Sequence, residues 1–420
     1  MTRLLHNYVN TFRGLSPEIW WLSLITLINR MGAMVIPFLS IYLNKDLHFS
    51  LPDVGWVMTA YGLGSFCGAW LGGKLSDRIG YYKVILFSLV LTGFNFLWVM
   101  RLEEFWMICL SFFILIAIAD MGRPAFFVAL SAYSKPENKT RSLTLIRLAI
   151  NLGFSAGPAI GGLLIATLGY NALFYVDGIT CLLAGLLMTQ VLNPKKVKEL
   201  DKEVIVENPV KPQKDMAYVL FLIALAIFGI IFVQYFSTIP IFYKDVFHLS
   251  ESSIGLILAL NGALIVVFEM PLIAWLQHKK WSNIQNTILG LVMTGVSFVF
   301  LFWDFWVGLV VIGMIIATFG EMISFPFSNK FALDRSKLGK QGAFMGLYTM
   351  SFSVAHIFGH NGGMQIIEHF GFRNTWLFLI ALTLIAWLLL FIVHRLLKKE
   401  KSIRKETSIE RVSLKPKSGR

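Results

Sequence analysis

The chain is built from long apolar runs separated by short, charged connections, and no other feature constrains its fold as strongly. A helix rises about 1.5 Å per residue, so crossing the hydrocarbon of a bilayer takes roughly 20 apolar residues. Twelve runs approach or exceed that length: about 17–43, 51–73, 83–101, 105–132, 141–166, 171–192, 216–242, 251–276, 282–302, 305–329, 340–367 and 373–394. The expected fold is an all-α membrane protein with twelve transmembrane helices. The exception among the short connections is 193–215, "NPKKVKELDKEVIVENPVKPQKD". It is charged, and it divides the runs into two sets of six.

Composition agrees. Of 420 residues 56% are hydrophobic and 15% charged, against about 45–50% and about 25% in soluble chains. The net charge of +13 would suggest nucleic acid in a soluble protein. Here the charges flank apolar runs, so a topological reading comes first and nucleic acid is not expected. Cys67, Cys109 and Cys181 all lie within apolar runs and form no C-x-x-C or Cys/His cluster, which argues against disulfides, zinc or another metal. The first run is too long for a signal-peptide core and lacks a small-residue cleavage site, so it reads as a retained span.

Charge also fixes the expected topology. With both termini in the cytoplasm, 30 of the 37 Lys and Arg fall in cytoplasmic segments, and only Lys45, Arg101, Lys244 and Arg373 fall in outer loops. Arg30, Arg123 and Arg147 lie within spans. A miscounted helix would scramble this asymmetry. The expected organisation is a first six-helix bundle (1–192), a cytoplasmic linker (193–215), a second bundle (216–394) and a basic cytoplasmic tail (395–420). Such a tail can touch anionic lipid. The expected location is the cytoplasmic (inner) membrane, with the protein as a multi-pass monomer.

The two bundles repeat one another. "HFSLPDVG" (48–55) matches "HLSESSIG" (248–255) at an offset of 200, and "LGYNALFYVDGI" (168–179) matches "FGFRNTWLFLIA" (370–381) at an offset of 202. Gly161 and Gly162 recur as Gly362 and Gly363. Internal duplication of this kind accompanies transport sites at the bilayer midplane.

Two motifs carry more specific information. "GGKLSDRIGYYK" (72–83) joins the second and third runs, with Gly73, Asp77, Arg78 and Gly80 in a very short connection. The glycines permit a tight reversal, and an acid is favoured near a helix N-terminus. The stretch resembles the G-x-L-x-D-R-x-G-R-[KR] signature of the major facilitator superfamily through Gly80. After it, Tyr81 and Tyr82 stand where basic residues are usual. The corresponding second-half loop, "WLQHKKWSN" (275–283), keeps Lys279 and Lys280 but has neither the acid nor the glycines. The resemblance implies a conformational lock formed by Gly73, Asp77, Arg78 and Gly80, with Asp77 engaging the other half near helix 11.

"RLAINLGFSAGPAIGG" (147–162) places Gly153, Gly157 and Gly161 four apart, one smooth face for close packing, and Pro158 adds a kink. Arg147 and Asn151 share a face. With Gly162, the stretch is similar to the G-x-x-x-G-P-x-x-G-G signature of the superfamily's drug–proton antiporters, which implies antiport.

Charges within spans are the remaining anomaly. Each costs at least about 2.5–3.5 kcal/mol at the bilayer centre, so each is expected to face a partner or a wet cavity. Arg30 and Asp120 lie roughly 20 Å and 18 Å from the cytoplasmic ends of their spans. In the superfamily, helices 1, 4, 7 and 10 line the central cavity, so the resemblance implies that Arg30 and Asp120 meet. Arg123 lies one turn nearer the cytoplasm. Asp120-Met121 recurs as Glu321-Met322 at an offset of 201, which puts an acid in each half. Two readings stand. Asp120 is a structural acid neutralised by Arg30 or Arg123, or Asp120 or Glu321, with Arg30, exchanges a proton during transport. Glu269 reads as an interfacial or packing acid. Gln234, Asn261, His356, His360, Asn361, Tyr61 and Trp70 are candidate cavity residues beside Arg30 and Arg123.

Many drug exporters of the superfamily carry an acid in helix 1, where this chain has Asn29-Arg30, and small residues after the helix 4 Arg, where it has Pro124. Positive cavity residues suit an anionic or zwitterionic substrate. The expected function is secondary active transport of a small molecule by alternating access, through proton-coupled efflux. The alternatives are proton symport or import of a peptide, sugar or organic anion, and, in another class, a non-transporting receptor. No nucleophile–base set or phosphate-binding loop points to an enzyme, and no cofactor is implied. The expected partners are the substrate, protons and the lipid bilayer.

Overall fold

A computed structural model of the protein describes residues 14–135, 138–194, 210–279, 281–339 and 341–413. Residues 195–209 of the linker and 414–420 of the tail lie outside the described residues. The described chain is helical throughout its spans. The first span is Pro17–Met31 and Val35–Ile41, prolonged by a π turn at Tyr42–Asp46. Leu51–Ile79, Tyr81–Val99, Phe105–Tyr133, Lys139–Leu168 and Asn171–Val191 are the second to sixth. The seventh is Met216–Val233 and Thr238–Asp245. Glu251–His278, Asn283–Ser297 with its 3-10 extension to Phe302, and Gly308–Ser336 are the eighth to tenth.

Among the described residues ten stretches are long and apolar enough to cross a bilayer. Two features bring the spans to twelve. Phe344–Glu400 is one apolar stretch but two helices, broken at Gly371, where φ is 76°. Leu51–Ile79 is as long as its neighbours at 29 residues, though six glycines dilute its hydropathy. The even number of spans puts both termini on one face, called here the terminal face; the other is the far face.

The duplication is visible in backbone geometry. His48 and His248 both take positive φ, 57° and 50°, and Gly169 and Gly371 take 80° and 76°. A non-glycine residue with positive φ is uncommon, and a pair at an offset of 200 marks the same turn built twice. Each turn leads into the same N-cap: Ser50 accepts from the Asp53 N–H and Ser250 from the Ser253 N–H, both at 3.3 Å. The first and seventh spans are also both broken near mid-length, at 32–34 and 234–237.

Glycines set the helix spacing. Gly64, Gly68 and Gly72 of the second span, each four apart, lie against the backbones of Phe113, Ala117 and Met121 of the fourth, also four apart. Gly68→Ala is expected to overpack this contact and cost about 1–3 kcal/mol. Gly346→Ala, at a site with nothing within 4 Å, is expected to be neutral or stabilising, because Ala is the better helix former by up to about 1 kcal/mol. Thermal melting of the two purified variants checks the opposite signs.

The core shows how the halves meet. One cluster of buried apolar residues runs through both halves: it joins them near the far face, where it includes Phe38, Tyr42, Ile239 and Phe242, and continues through the second half to Tyr218 and Phe344. Near the terminal face the first half keeps a separate cluster, with Ile19, Leu22, Tyr81 and Leu130. Polar contacts repeat the pattern. Lys45 pairs with Asp245 at 2.5 Å. Tyr170 donates to Glu251 at 3.1 Å, and Asn361 to Thr59 at 3.1 Å. The halves are thus joined at the far face. Exposed tryptophans lie towards both ends of the bundle, Trp98, Trp106, Trp303 and Trp306 near the far face and Trp20, Trp21, Trp275 and Trp281 near the terminal face. Such paired belts mark the two membrane interfaces.

Candidate functional site: a charged cavity between the two bundles

A cavity of about 310 Å³ lies between the halves and takes its walls from both. Arg30, Arg123, Asn151 and Pro158 line it from the first half, and Asn261, Glu321, His356 and His360 from the second. Tyr61, Phe154, Phe232, Tyr235 and Phe236 supply an aromatic surface. Few polar groups in a mainly apolar concavity is the usual composition of a small-molecule site.

Arg30 reaches the cavity because the first span breaks just after it. A new helix starts at Val35, and the N–H groups of its first turn have no partners within the helix. In a membrane they must find one in the protein. Asp177 of the sixth span, fully buried, supplies it: its carboxylate accepts from the Met34 N–H at 2.9 Å and the Val35 N–H at 2.9 Å. Asp177 is absent from the sequence-predicted site. Its one signal was an acid in an apolar run with no cation nearby. Asp177→Leu is expected to orphan both N–H groups at about 1–3 kcal/mol each. Asp177→Asn, which keeps an acceptor, is expected to lose less, as read by melting temperature.

Glycines of the fifth span let the first approach. Gly153 packs on Arg30, Gly157 on Met31 and Gly161 on Met34 and Phe38. Gly162 turns to the eighth span, where it meets Glu251 and Ser252. The fifth-span motif therefore packs on one side within its own bundle and on the other across to the second. The same span bears Arg147 and Asn151, and both reach Glu269 of the eighth. Arg147 Nη2 forms an ion pair with Glu269 Oε1, and the Asn151 amide donates to Oε2 at 3.2 Å. Of the two readings of Glu269, interfacial acid or packing acid, the contacts agree with packing, and they link the two halves. The shared face of Arg147 and Asn151 was the signal that a partner was required.

Arg30 and Asp120 do not form the expected pair. Asp120 is buried and pairs with Arg123 Nε at 2.8 Å, three residues along its own helix, while Ser65 Oγ donates to its other oxygen. Residues three apart on a helix are neighbours, and this proximity prevails over equal depth on another span. Arg30 turns instead towards the fifth span, its guanidinium 5.4 Å from the centre of the Phe154 ring. Glu321 accepts from the Asn261 amide at 2.9 Å. The two acids that the duplication places alike therefore sit in different surroundings, one beside an arginine and one beside an amide.

Three candidate wall residues lie elsewhere. Gln234 is buried at the break of the seventh span, where its amide donates to the Gly359 and Ile230 carbonyls at 2.8 and 2.9 Å. It satisfies the Ile230 carbonyl next to the break and ties the seventh span to the eleventh through Gly359. Asn361 donates to Thr59 between the second and eleventh spans, where close approach of Gly55 leaves it no access to the cavity. Trp70 is exposed, with Lys74 Nζ 3.6 Å from its ring centre. His356 and His360 do line the cavity, as a pair with Nδ1 and Nε2 3.1 Å apart. Of the motif at 72–83, Gly73 lies within the second helix, Arg78 is exposed, and Gly80, with φ 84°, ends that helix. The Asp77 side chain lies outside the described residues.

Comparison with known proteins agrees with this architecture. The chain is 24% identical over 389 residues to an uncharacterized MFS-type transporter, YttB, of Bacillus subtilis, covering 91% of this chain and 96% of that one. It is 23% identical to a Na(+), Li(+), K(+)/H(+) antiporter of Planococcus maritimus, over 82% of this chain and 88% of that one. A crystal structure of a POT family transporter in complex with 5-aminolevulinic acid superposes with a TM-score of 0.77 at 16% identity, covering 91% of this chain and 96% of that one. That likeness concerns the fold. The sequence profile of the Major Facilitator Superfamily matches residues 22–360; the chain, twelve spans in two repeated bundles around a shared cavity, belongs to that superfamily of membrane transporters.

Proposed function

We propose that the protein is a proton-coupled exporter of the cytoplasmic membrane, with its terminal face in the cytoplasm, and that it exchanges a small molecule for protons by alternating access. The distribution of Lys and Arg supports the orientation. In that orientation the far-face contacts close the outer side, and the Arg147–Glu269 pair is one of the links that part and reform as the bundles rock.

The observation that carries the reading is Glu321. It is a carboxylate on the cavity wall whose partner is an amide rather than a cation. Such an acid can be neutralised by a proton or by a cationic group of a ligand, one at a time. Mutually exclusive occupancy is what an antiporter requires. The fifth-span motif and the relative named as an antiporter point the same way. Asp120, held by Arg123 and Ser65, serves in this reading as a structural acid.

The test is purified protein in liposomes that contain a pH-sensitive dye. Substrate added on one side of an imposed pH gradient is expected to drive protons in the opposite direction. Movement of protons with the substrate would establish symport and overturn export by exchange. Absence of substrate flux at any gradient would place the protein with receptors.

A further inference from the structure

Three arginines lie within spans, and the structure treats them differently. Arg123 has Asp120 and Arg147 has Glu269. Arg30 faces the cavity with its guanidinium over Phe154, and among the described residues no carboxylate lies within ion-pair distance of it. On the second half, Glu321 likewise has an amide and no cation within that distance among the described residues. A charge without a partner is tolerated in a membrane protein where it meets water or a ligand. Here two such charges of opposite sign, one from each bundle, face one cavity whose remaining wall is largely apolar, with the rings of Phe154, Phe232 and Tyr235 among its residues.

We infer that the substrate is a zwitterionic amphiphile, with its anionic group on Arg30, its ammonium group on Glu321 and its apolar body against Phe154, Phe232 and Tyr235. The inference rests on Glu321 being the proton-exchanging acid. It gives that acid its competitor: the ammonium group and the proton contend for the same carboxylate, so loading of substrate releases a proton. The other charges facing this space are already matched. Arg123 is neutralised by Asp120, and His356 and His360 bond to each other beside Tyr61. Arg30 is then the residue that separates zwitterions from the lipophilic cations that an acid alone would accept.

The experiment uses matched triplets of probes on several apolar bodies. Tryptophan, tryptophanamide and N-acetyltryptophan form one; phenylalanine and leucylphenylalanine with their amides and N-acetyl forms supply two more. Binding to the purified full-length protein is measured by calorimetry. The zwitterion of at least one triplet is expected to bind about tenfold or more tightly than its amide or its N-acetyl form. Arg30→Gln is expected to remove that advantage, so that zwitterion and amide bind alike, and Arg30→Lys to keep part of it. Binding by no zwitterion in the set, or tighter binding by a singly charged form, overturns the inference. Proton-driven flux of an amide that survives Arg30→Gln overturns it too but leaves export by proton exchange standing. Zwitterion binding that depends on Arg30, with flux indifferent to a pH gradient, supports Arg30 as the anion site and overturns proton exchange.

Discussion

Glu321→Gln is expected to abolish accumulation driven by a pH gradient while substrate still equilibrates down its own gradient. Glutamine keeps the size of the side chain and its contact with the Asn261 amide, at 2.9 Å in the native protein, but it holds one fixed charge state. A cavity locked as though protonated can still rock, because nothing about the packing of the tenth span has changed. The contrast is Asp120→Asn. That change frees Arg123 from its only ion pair among the described residues, and leaves Ser65 without a charged acceptor. It is expected to act on stability, by about 1–3 kcal/mol for the lost charge-assisted bonds, and to leave proton coupling in place. Flux and melting temperature measured on both variants separate the two roles. Uncoupling by Asp120→Asn but not by Glu321→Gln would reverse the assignment.

The link between the bundles gives the second large effect, and its size depends on which partner is removed. In the pair Arg147–Glu269 the arginine side chain is 44% exposed and the glutamate 9%. Arg147→Met strands a buried carboxylate, a change expected to cost about 3 kcal/mol or more. Asn151, 3.2 Å from Glu269, offers only partial relief. Glu269→Gln leaves a half-exposed arginine with the glutamine carbonyl as an acceptor and is expected to cost less than Arg147→Met. The double swap, Arg147→Glu with Glu269→Arg, is expected to recover part of the loss, since the charges again oppose one another. Melting of all three in detergent tests the asymmetry. Equal losses from the two single changes would show that the pair is worth its Coulomb energy alone and that burial does not matter.

Much of the fold was legible in the sequence because the bilayer simplifies the problem. Apolar length counts spans, and basic residues order them. The turns at His48 and His248, and the breaks at Gly169 and Gly371, were legible as repeated text before their positive φ values were known. The break within the first span was not. Nothing local to Gly32-Ala33 announces that the first span stops there; the stop is sustained by Asp177, some 140 residues away, and by the fifth-span glycines that crowd against Arg30 and Met31. The site was legible as a set of charges but not as a set of pairs. Depth along a span follows from counting residues, whereas the direction a side chain faces follows from how helices are rotated against one another. Asp120 and Arg123, three apart on one helix, could be paired from sequence with confidence in their proximity. Arg30, level with Asp120 but on another span, could not. Gln234 was misplaced for a related reason: a polar residue within a span can serve broken backbone instead of a ligand.

The central claim is that a carboxylate in the shared cavity gives up a proton when substrate arrives. The most direct measurement is proton release in weakly buffered solution as the purified protein is titrated with the tightest-binding zwitterion of the probe series. The native protein is expected to release close to one proton per molecule bound under conditions where Glu321 is protonated, and Glu321→Gln to release none. Proton uptake on binding, or release that persists undiminished in Glu321→Gln, would contradict the account.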